Sequence, residues 1–187
     1  MMNLLLEEHL NQVSSPANLL INDKISAFRK YCKEHGCLRP YHHFAFGQSP
    51  YPPPPTVIKA LKANVDKNSY LPTAGLPELR EAVSSFYRHY FGLKFEKERV
   101  VISPGSKEII SICMSVLKGA VIIPTPGWVS YLPQAKIHSK QIITIPMKMA
   151  DTFKLTPELL MLGLGQTKER QKILILNHPH NPTGAMY

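Results

Sequence analysis

The chain has 187 residues, of which 44% are hydrophobic and 19% are charged, a balance typical of a folded globular protein and not of a disordered one. Its formal net charge is +9, but the basic residues are scattered with no run of five or more, which favours a solvated surface over a nucleic-acid interface. No apolar stretch approaches a membrane span, and the short apolar start is followed by Glu7 and Glu8, unlike a signal peptide.

The first half of the chain predicts helices separated by a proline-rich linker. A helix beginning after Ser15-Pro16 is expected to end at Gly36, because glycine adopts the left-handed conformation that closes helices. The run Pro-Tyr-Pro-Pro-Pro-Pro at 50–55 fits neither a helix interior nor a central strand, so it predicts an extended linker. This linker divides residues 1–50, an N-terminal arm or part of a small domain, from a main domain at residues 51–187.

Two further helices follow the linker. A short one is expected to be capped by Thr56 and to run through Ala63. The clearest one has Pro77 in its first turn, apolar residues at helical spacing, and Gly92 at its end.

The rest of the chain alternates strands with helices. The predicted strands are Val100 to Ser103, Ala120 to Ile123, Gln141 to Ile145 and Lys172 to Asn177, and the helices between them are Lys107 to Leu117, Trp128 to Ile137 and one after Thr156-Pro157. This order predicts an α/β fold with a mostly parallel sheet and helices on both faces.

The three cysteines predict a reducing compartment. Cys32, Cys37 and Cys113 are odd in number and too loosely spaced for a zinc site or a disulfide framework. We therefore expect free thiols in a cytoplasmic protein.

Polar turns at strand ends are the candidate functional elements. In Asn-His-Pro-His-Asn-Pro-Thr-Gly at 177–184, each proline restricts its own backbone and that of the residue before it, so Asn181 is presented rigidly. Ligands of open α/β sheets bind at this edge, beyond the carboxyl ends of the strands. The turn at Gly105-Ser106 opens a helix, where free N–H groups can hold an anion or simply begin the helix.

Five ordered segments resemble the class I and II aminotransferases, the fold type I enzymes that use pyridoxal phosphate. They are Phe-Ala-Phe-Gly-Gln-Ser-Pro at 44–50, Tyr-Leu-Pro-Thr-Ala-Gly-Leu-Pro-Glu-Leu-Arg at 70–80, Ser-Pro-Gly-Ser-Lys at 103–107, Pro-Thr-Pro-Gly-Trp-Val-Ser-Tyr at 124–131, and Asn-Pro-Thr-Gly at 181–184. Before Phe44 the resemblance is only general. The resemblance implies an enzyme of amino acid metabolism, of the aspartate aminotransferase-like branch, that transfers an amino group from an amino acid to a 2-oxo acid.

The resemblance also implies roles for single residues of the cofactor site. Gly105, Ser106 and Lys107 form the turn that holds the cofactor phosphate, with Lys107 not the Schiff-base lysine. Trp128 lies flat on the pyridine ring, where stacking on an electron-poor ring is favourable. The amide of Asn181 bonds the phenolic oxygen of the cofactor. A tryptophan that only covers core is the alternative for Trp128.

Two more residues extend the implied site toward the substrate and a second subunit. Tyr70 reaches the phosphate in the neighbouring subunit of a homodimer, and a surface tyrosine is its alternative role. Gly47 offers its backbone to the substrate carboxylate. No metal site is expected, because His42, His43, His178 and His180 lack carboxylate or thiol companions.

In the family, the Schiff-base lysine and the arginine that binds the substrate follow Asn-Pro-Thr-Gly, and neither occurs after that motif here. We therefore expect an N-terminal fragment, residues 51–187 being part of the large cofactor-binding domain, with no catalytic residue of its own. Two alternatives stay open: another fold type I enzyme, such as a lyase, decarboxylase or synthase, and a non-catalytic binding protein.

Overall fold

The computed structural model describes residues 10, 13, 17–37, 42, 47 and 49–187. They fall into two compact units: Gly47–Ile109 forms one, and Ile110–Tyr187 with the described residues before 47 forms the other. The predicted division into residues 1–50 and 51–187 stays a prediction.

Six α-helices and three strands are found in the described part of the chain. The helices are α1 Ala17–His35, α2 Pro55–Lys62, α3 Pro77–Phe91, α4 Ser106–Val116, α5 Tyr131–Ile137 and α6 Pro157–Leu164, and the strands are β1 Ala120–Thr125, β2 Ile142–Pro146 and β3 Lys172–Leu174. No helix among these residues is long and apolar enough to cross a membrane.

Helix α1 ends in a left-handed turn that joins two cysteines. Gly36 has φ +72° and its N–H donates to Cys32 O, which reverses the chain as predicted. The reversal brings Cys37 beside Cys32, with the two Cα atoms 4.9 Å apart, and the two sulfurs form a disulfide. The prediction of free thiols is therefore wrong for this pair, whereas Cys113 is free and exposed.

Prolines, not side-chain caps, begin the two helices of the Gly47–Ile109 unit. Helix α2 starts at Pro55 with Pro54 as its N-cap, so the prediction that Thr56 caps this helix is wrong. A proline at the first position lacks only an N–H that would be unsatisfied anyway, which explains why it replaces the cap. Helix α3 starts at Pro77 and closes at Gly92, which has φ +67°, as predicted.

The stretch Val100–Ser103 is not a strand, which corrects the sequence prediction. Among the described residues, its one ladder-type bond runs from Ile102 N to Ala74 O at 3.0 Å. Gly75, at φ +97°, permits this approach, because a Cβ there would lie 2.6 Å from Ile102 Cβ. β-branched residues favour an extended backbone. A strand also needs hydrogen bonds to a neighbouring strand along its whole length, and a single bond to Ala74 does not supply them.

The sheet is parallel throughout and has the order β2-β1-β3. Val121 of β1 pairs with Ile142 on one side and with Ile173 on the other. Strand β3 is shorter than the predicted Lys172 to Asn177, although Ile175 N still donates to Ile122 O at 3.0 Å.

Strand β1 is covered on both faces, as is typical of a strand inside a parallel sheet. The apolar run from Lys172 to Leu176 predicts the same cover for β3, but Leu174 and Leu176 are exposed, so that prediction is wrong for β3. On one face, Val121 and Ile123 pack with Met114 of α4 and with Tyr131 and Ala135 of α5. On the other face, a second cluster comprises Ala120, Ile122, Ile143 and Ile145, packed against Leu155, Leu159, Leu160 and Leu164. Complete burial of one such aliphatic side chain stabilises the fold by roughly 1.5–3 kcal/mol.

Helix α6 closes the second face and starts where predicted. Thr156 is its N-cap, and the Thr156 hydroxyl oxygen accepts the N–H of Leu159 at 3.3 Å. Gly163, which is buried, lies against β2, since a Cβ there would come within 2.8 Å of Ile145 Cγ1. The helix therefore approaches the sheet so closely that a larger residue at position 163 would require the Ile145 side chain to shift.

Candidate functional site

Two polar turns follow neighbouring parallel strands. The turn after β1 carries Trp128, and the turn after β3 carries Asn177 and Asn181. Because β1 and β3 are parallel, both turns begin at the carboxyl edge of the sheet, where ligands of such sheets bind. The peptide bonds before Pro126, Pro179 and Pro182 in these turns are cis.

Trp128 lies in the first turn and just before α5, not in the helix as predicted. Its half-buried ring packs against the core cluster and meets the ring of Tyr131 edge-on, with centroids 5.3 Å apart and an interplanar angle of 80°. Tyr131 is the first residue of α5 and is only 5% exposed. An edge-to-face pair of this kind is worth about 0.5–1.5 kcal/mol beyond its burial, so the fixed tyrosine orients the indole.

Asn181 is held by its backbone, which leaves its side chain available. The Asn181 N–H donates to Asn177 Oδ1 at 2.8 Å, and Asn177 Nδ2 donates to the Tyr131 hydroxyl oxygen at 3.2 Å. The exposed side-chain amide of Asn181 has no hydrogen-bond partner among the residues that the structure describes. It can therefore donate to an oxygen of a ligand.

The far side of the same turn is fastened by backbone and threonine contacts. His180 is 5% exposed, its Nδ1 lies 2.8 Å from Thr183 Oγ1, and its backbone N–H donates to Ala185 O at 2.8 Å. His178 Nδ1 accepts the backbone N–H of Tyr187 at 3.1 Å. These histidines therefore shape the turn, and no group of three metal-ligating side chains occurs within the described ranges.

In the Gly47–Ile109 unit, the predicted phosphate turn leads into α4. Gly105 has φ +123°, and a Cβ built there would meet no atom within 4 Å, so the space beside the turn is open. Ser103 Oγ donates to Gly105 O at 2.8 Å, while the exposed Ser106 hydroxyl has no partner in the described part of the chain. Lys107 is exposed on the first turn of the helix. These groups form a donor set suited to an anion.

Two residues of the Tyr70 segment hold the backbone that leads into this turn. Arg80 donates from Nε to Val100 O at 2.8 Å and from Nη2 to Lys97 O at 2.8 Å, and Gly75 allows the Ala74–Ile102 contact described above. Tyr70 itself is fully exposed. The glycine and arginine of this segment therefore have a structural role within the unit.

Gly47 is exposed, with open space around its Cα. Its neighbours Phe44, Ala45, Phe46 and Gln48, which carry this part of the motif, lie outside the described residues.

The sequence does not predict the contact between Asn177 and Tyr131. The available signal was an asparagine directly before His178-Pro179, where the proline restricts the backbone of His178. Nothing in the sequence shows that this asparagine meets a tyrosine 46 residues away, because the contact depends on how β1 and β3 pair.

The family model for aminotransferase class I and II matches residues 40–187. The chain belongs to the class I and II aminotransferases. The predicted membership of the family is thereby confirmed.

Curated relatives of the aminotransferase family share about a third of the aligned residues. An aspartate aminotransferase of Pyrococcus horikoshii is 34% identical over 144 residues, which cover 74% of this chain and 36% of that enzyme. An asparagine–oxo-acid transaminase of Streptococcus mutans is 32% identical over 168 residues, covering 87% of this chain and 42% of that protein. The chain thus spans well under half of the length of these aminotransferases.

Solved aminotransferase structures share the fold. The aspartate aminotransferase from Rhizobium meliloti superposes with a TM-score of 0.84 at 24% identity, covering 99% of this chain and 45% of that one. An aromatic aminotransferase from Pyrococcus horikoshii gives a TM-score of 0.67 at 28% identity, covering 76% of this chain and 39% of that one. The predicted fold type I architecture with a parallel sheet is confirmed.

Proposed function

We propose that the protein is a pyridoxal-phosphate-dependent aminotransferase that moves an amino group from an amino acid to a 2-oxo acid. The observation that carries the proposal is the link between the two strand-end turns, in which Tyr131 and Asn177 join Trp128 to Asn181. Relatives that carry the names aspartate aminotransferase and asparagine–oxo-acid transaminase support this activity and favour small acidic amino acids and their amides as first substrates to test.

The residues of these turns fit the proposed cofactor. Asn181 offers an unpartnered amide donor for a phenolic oxygen, and Trp128 offers an indole oriented by Tyr131 for a flat aromatic ring. In the other unit, the open turn at Gly105 and Ser106 offers N–H and hydroxyl donors suited to a phosphate, with Lys107 adding positive charge.

The bound cofactor would supply an aldehyde to accept the amino group and a ring to accept electrons. The residues of this chain would bind the cofactor and orient it. Trp128 would restrain the tilt of the ring, and Asn181 would favour the anionic form of the oxygen by donating a hydrogen bond to it, which lowers the pKa of that oxygen. Gly47 would offer its backbone to the substrate carboxylate.

We also propose a homodimer in which Tyr70 serves the site of the other subunit. Its complete exposure in this chain supports the proposal, because a buried tyrosine could not reach a second copy. The test mixes subunits carrying Tyr70→Phe with subunits carrying Asn181→Ala. If the hydroxyl acts in trans, each hybrid dimer has one intact site and regains activity, whereas a contact within one subunit leaves both sites damaged. Cytoplasmic location stays a prediction.

The test of the reaction uses the protein expressed from its own gene, with pyridoxal phosphate and aspartate. Release of oxaloacetate, with conversion of one equivalent of cofactor to its amino form, is the expected result. Release of carbon dioxide or ammonia would contradict it in favour of a decarboxylase or lyase, and binding without any reaction would favour a non-catalytic binding protein.

The 187-residue chain, tested alone, is expected to bind the cofactor without turnover. The reason is that no lysine follows Asn-Pro-Thr-Gly in this sequence. Borohydride reduction should label its lysines in a scattered, substoichiometric pattern. One fully labelled lysine together with transamination would contradict this expectation.

Binding is checked through Trp128, the only tryptophan of the chain. Pyridoxal phosphate should quench its fluorescence in the unaltered protein. Trp128→Ala has no tryptophan, so its affinity is measured by equilibrium dialysis; it should bind more weakly while keeping an unchanged circular dichroism spectrum. Unaltered affinity of the Trp128→Ala variant would show that the indole does not contact the cofactor.

A further inference from the structure

The carboxamide of Asn177 connects the turn after β3 to Tyr131, the first residue of α5, which directly follows the turn after β1. Its Nδ2 reaches the hydroxyl of Tyr131, at the start of α5, and its Oδ1 reaches the backbone N–H of Asn181. Asn177 is half-buried. Tyr131, on α5, is buried in the core cluster that packs on β1. The chain of contacts therefore runs from the core to an exposed residue.

The direction of both hydrogen bonds is fixed by chemistry. A backbone N–H can only donate, so Oδ1 of Asn177 must face Asn181. The NH₂ group then faces Tyr131, whose oxygen accepts. Both ends of one rigid, planar amide are thus committed, and Asn177 cannot turn without losing a bond.

We propose that Asn177 and Tyr131 are positioning residues that hold Asn181 in place relative to Trp128. The proposal rests on the proposed function, in which Asn181 and Trp128 contact the cofactor. Tyr131 acts on both: its ring orients the indole, and its hydroxyl fixes the amide that holds the Asn181 backbone. Neither Asn177 nor the Tyr131 hydroxyl needs to touch the cofactor.

The first test needs no cofactor and follows hydrogen exchange of backbone amides. In Asn177→Ala and in Tyr131→Phe, the Asn181 amide should exchange at least about threefold faster, since a hydrogen bond is lost or loosened. The amides of His180 and Gly184, which donate to backbone carbonyls, should keep their protection. Asn177→Asp should retain protection, because a carboxylate can accept from both the Asn181 N–H and the Tyr131 O–H.

The matched control is Asn64→Ala. Asn64 also donates through its side-chain amide, but to the backbone carbonyl of Ala60 at 2.8 Å, and it lies just past the end of α2. Its loss should leave the Asn181 amide unchanged. Unaltered exchange of that amide in both Asn177→Ala and Tyr131→Phe would overturn the positioning proposal, whatever the cofactor does.

The second test measures pyridoxal phosphate affinity by quenching of Trp128 fluorescence. Tyr131→Phe should weaken binding about 3- to 10-fold, the range expected for one hydrogen bond. The same substitution made on an Asn181→Ala background should have no further effect on affinity, because the residue that it positions is gone. An equal loss on both backgrounds would show that Tyr131 acts independently of Asn181, and would overturn the proposal.

The two tests separate this proposal from the proposed function. If Asn181 exchange accelerates as expected but neither Asn181→Ala nor Trp128→Ala alters affinity, the cofactor site assignment fails. The link between the turns would then hold as a structural fact without its proposed purpose, and positioning toward the cofactor would be refuted.

Discussion

Replacing Gly119 by alanine should loosen the join between β1 and β3. Gly119 directly precedes β1 and has φ +109°, a conformation that residues with a side chain rarely adopt. A Cβ there would lie 2.7 Å from the carbonyl carbon of Gln171 and closer still to its oxygen. Gln171 directly precedes β3, and the next residues, Ala120 and Lys172, form the first pair of the ladder.

The magnitude follows from three effects. An unfavourable backbone conformation costs about 1–3 kcal/mol. The overlap adds about 1–3 kcal/mol of overpacking, because the opposing atoms belong to backbone and cannot rotate away. Alanine also restricts the backbone of the unfolded chain, which raises the free energy of unfolding by about 0.4–1 kcal/mol. We therefore expect Gly119→Ala to lower the free energy of unfolding by about 3 kcal/mol, within a range of about 1–5 kcal/mol, a large part of the ~5–15 kcal/mol typical of a domain.

Urea unfolding followed by circular dichroism measures this loss, and Gly184→Ala is the matched control. Gly184 lies in the same unit with φ +73°, but a Cβ there meets nothing within 4 Å. The control should therefore show only the conformational cost, about 1–2 kcal/mol. If the two variants lose equal stability, the close approach of Gly119 to Gln171 contributes nothing and the reasoning is refuted.

Three further outcomes are expected around α6. Gly163→Ala should lower the free energy of unfolding by about 1 kcal/mol, since the overlap with Ile145 outweighs the gain in helix propensity. Thermal unfolding measures this loss. If adding Ile145→Val to Gly163→Ala restores no stability, the overlap is not its cause. Thr156→Ala should cost about 1 kcal/mol through loss of the N-cap. Hydrogen bonds from its own backbone N–H and from the Thr156 hydroxyl hold the pKa of Glu158 below the usual 4.5. The stability that Glu158 adds over Glu158→Gln should therefore be complete above pH 4.5 and disappear as the pH falls through the lowered pKa, and urea titrations across acidic pH measure that difference.

Helix ends could be predicted from the sequence because local chemistry determines them. Gly36 and Gly92 end α1 and α3 as predicted, and α6 begins directly after Thr156 as predicted. The placement of Trp128 and Asn181 beyond parallel strands also followed from the order of elements. Much of the fold can therefore be predicted from the sequence.

The sequence predictions were wrong where contacts with other parts of the chain, and not the local sequence, determine the structure. Val100–Ser103 has strand-like residues, yet it finds only Ala74 as a ladder partner. Cys32 and Cys37 looked too loosely spaced, but the left-handed turn at Gly36 brings them together. In the candidate site, the Asn177–Tyr131 contact depends on pairing between distant strands, which a linear pattern does not contain.

The unequal pairing of the sheet has a consequence for the order of folding. Strand β1 shares five residue pairs with β2 but three with β3, and Val121 must close a loop more than twice as long to reach Ile173 as to reach Ile142. Each doubling of loop length costs only about 0.6 kcal/mol of loop-closure entropy. Strand β3 has fewer ladder hydrogen bonds to β1 with which to compensate for that cost. We expect β3 and the Asn177 turn to join last during folding and to open first in native-state fluctuations, so that the proposed ligand contacts form on the least protected strand of the sheet.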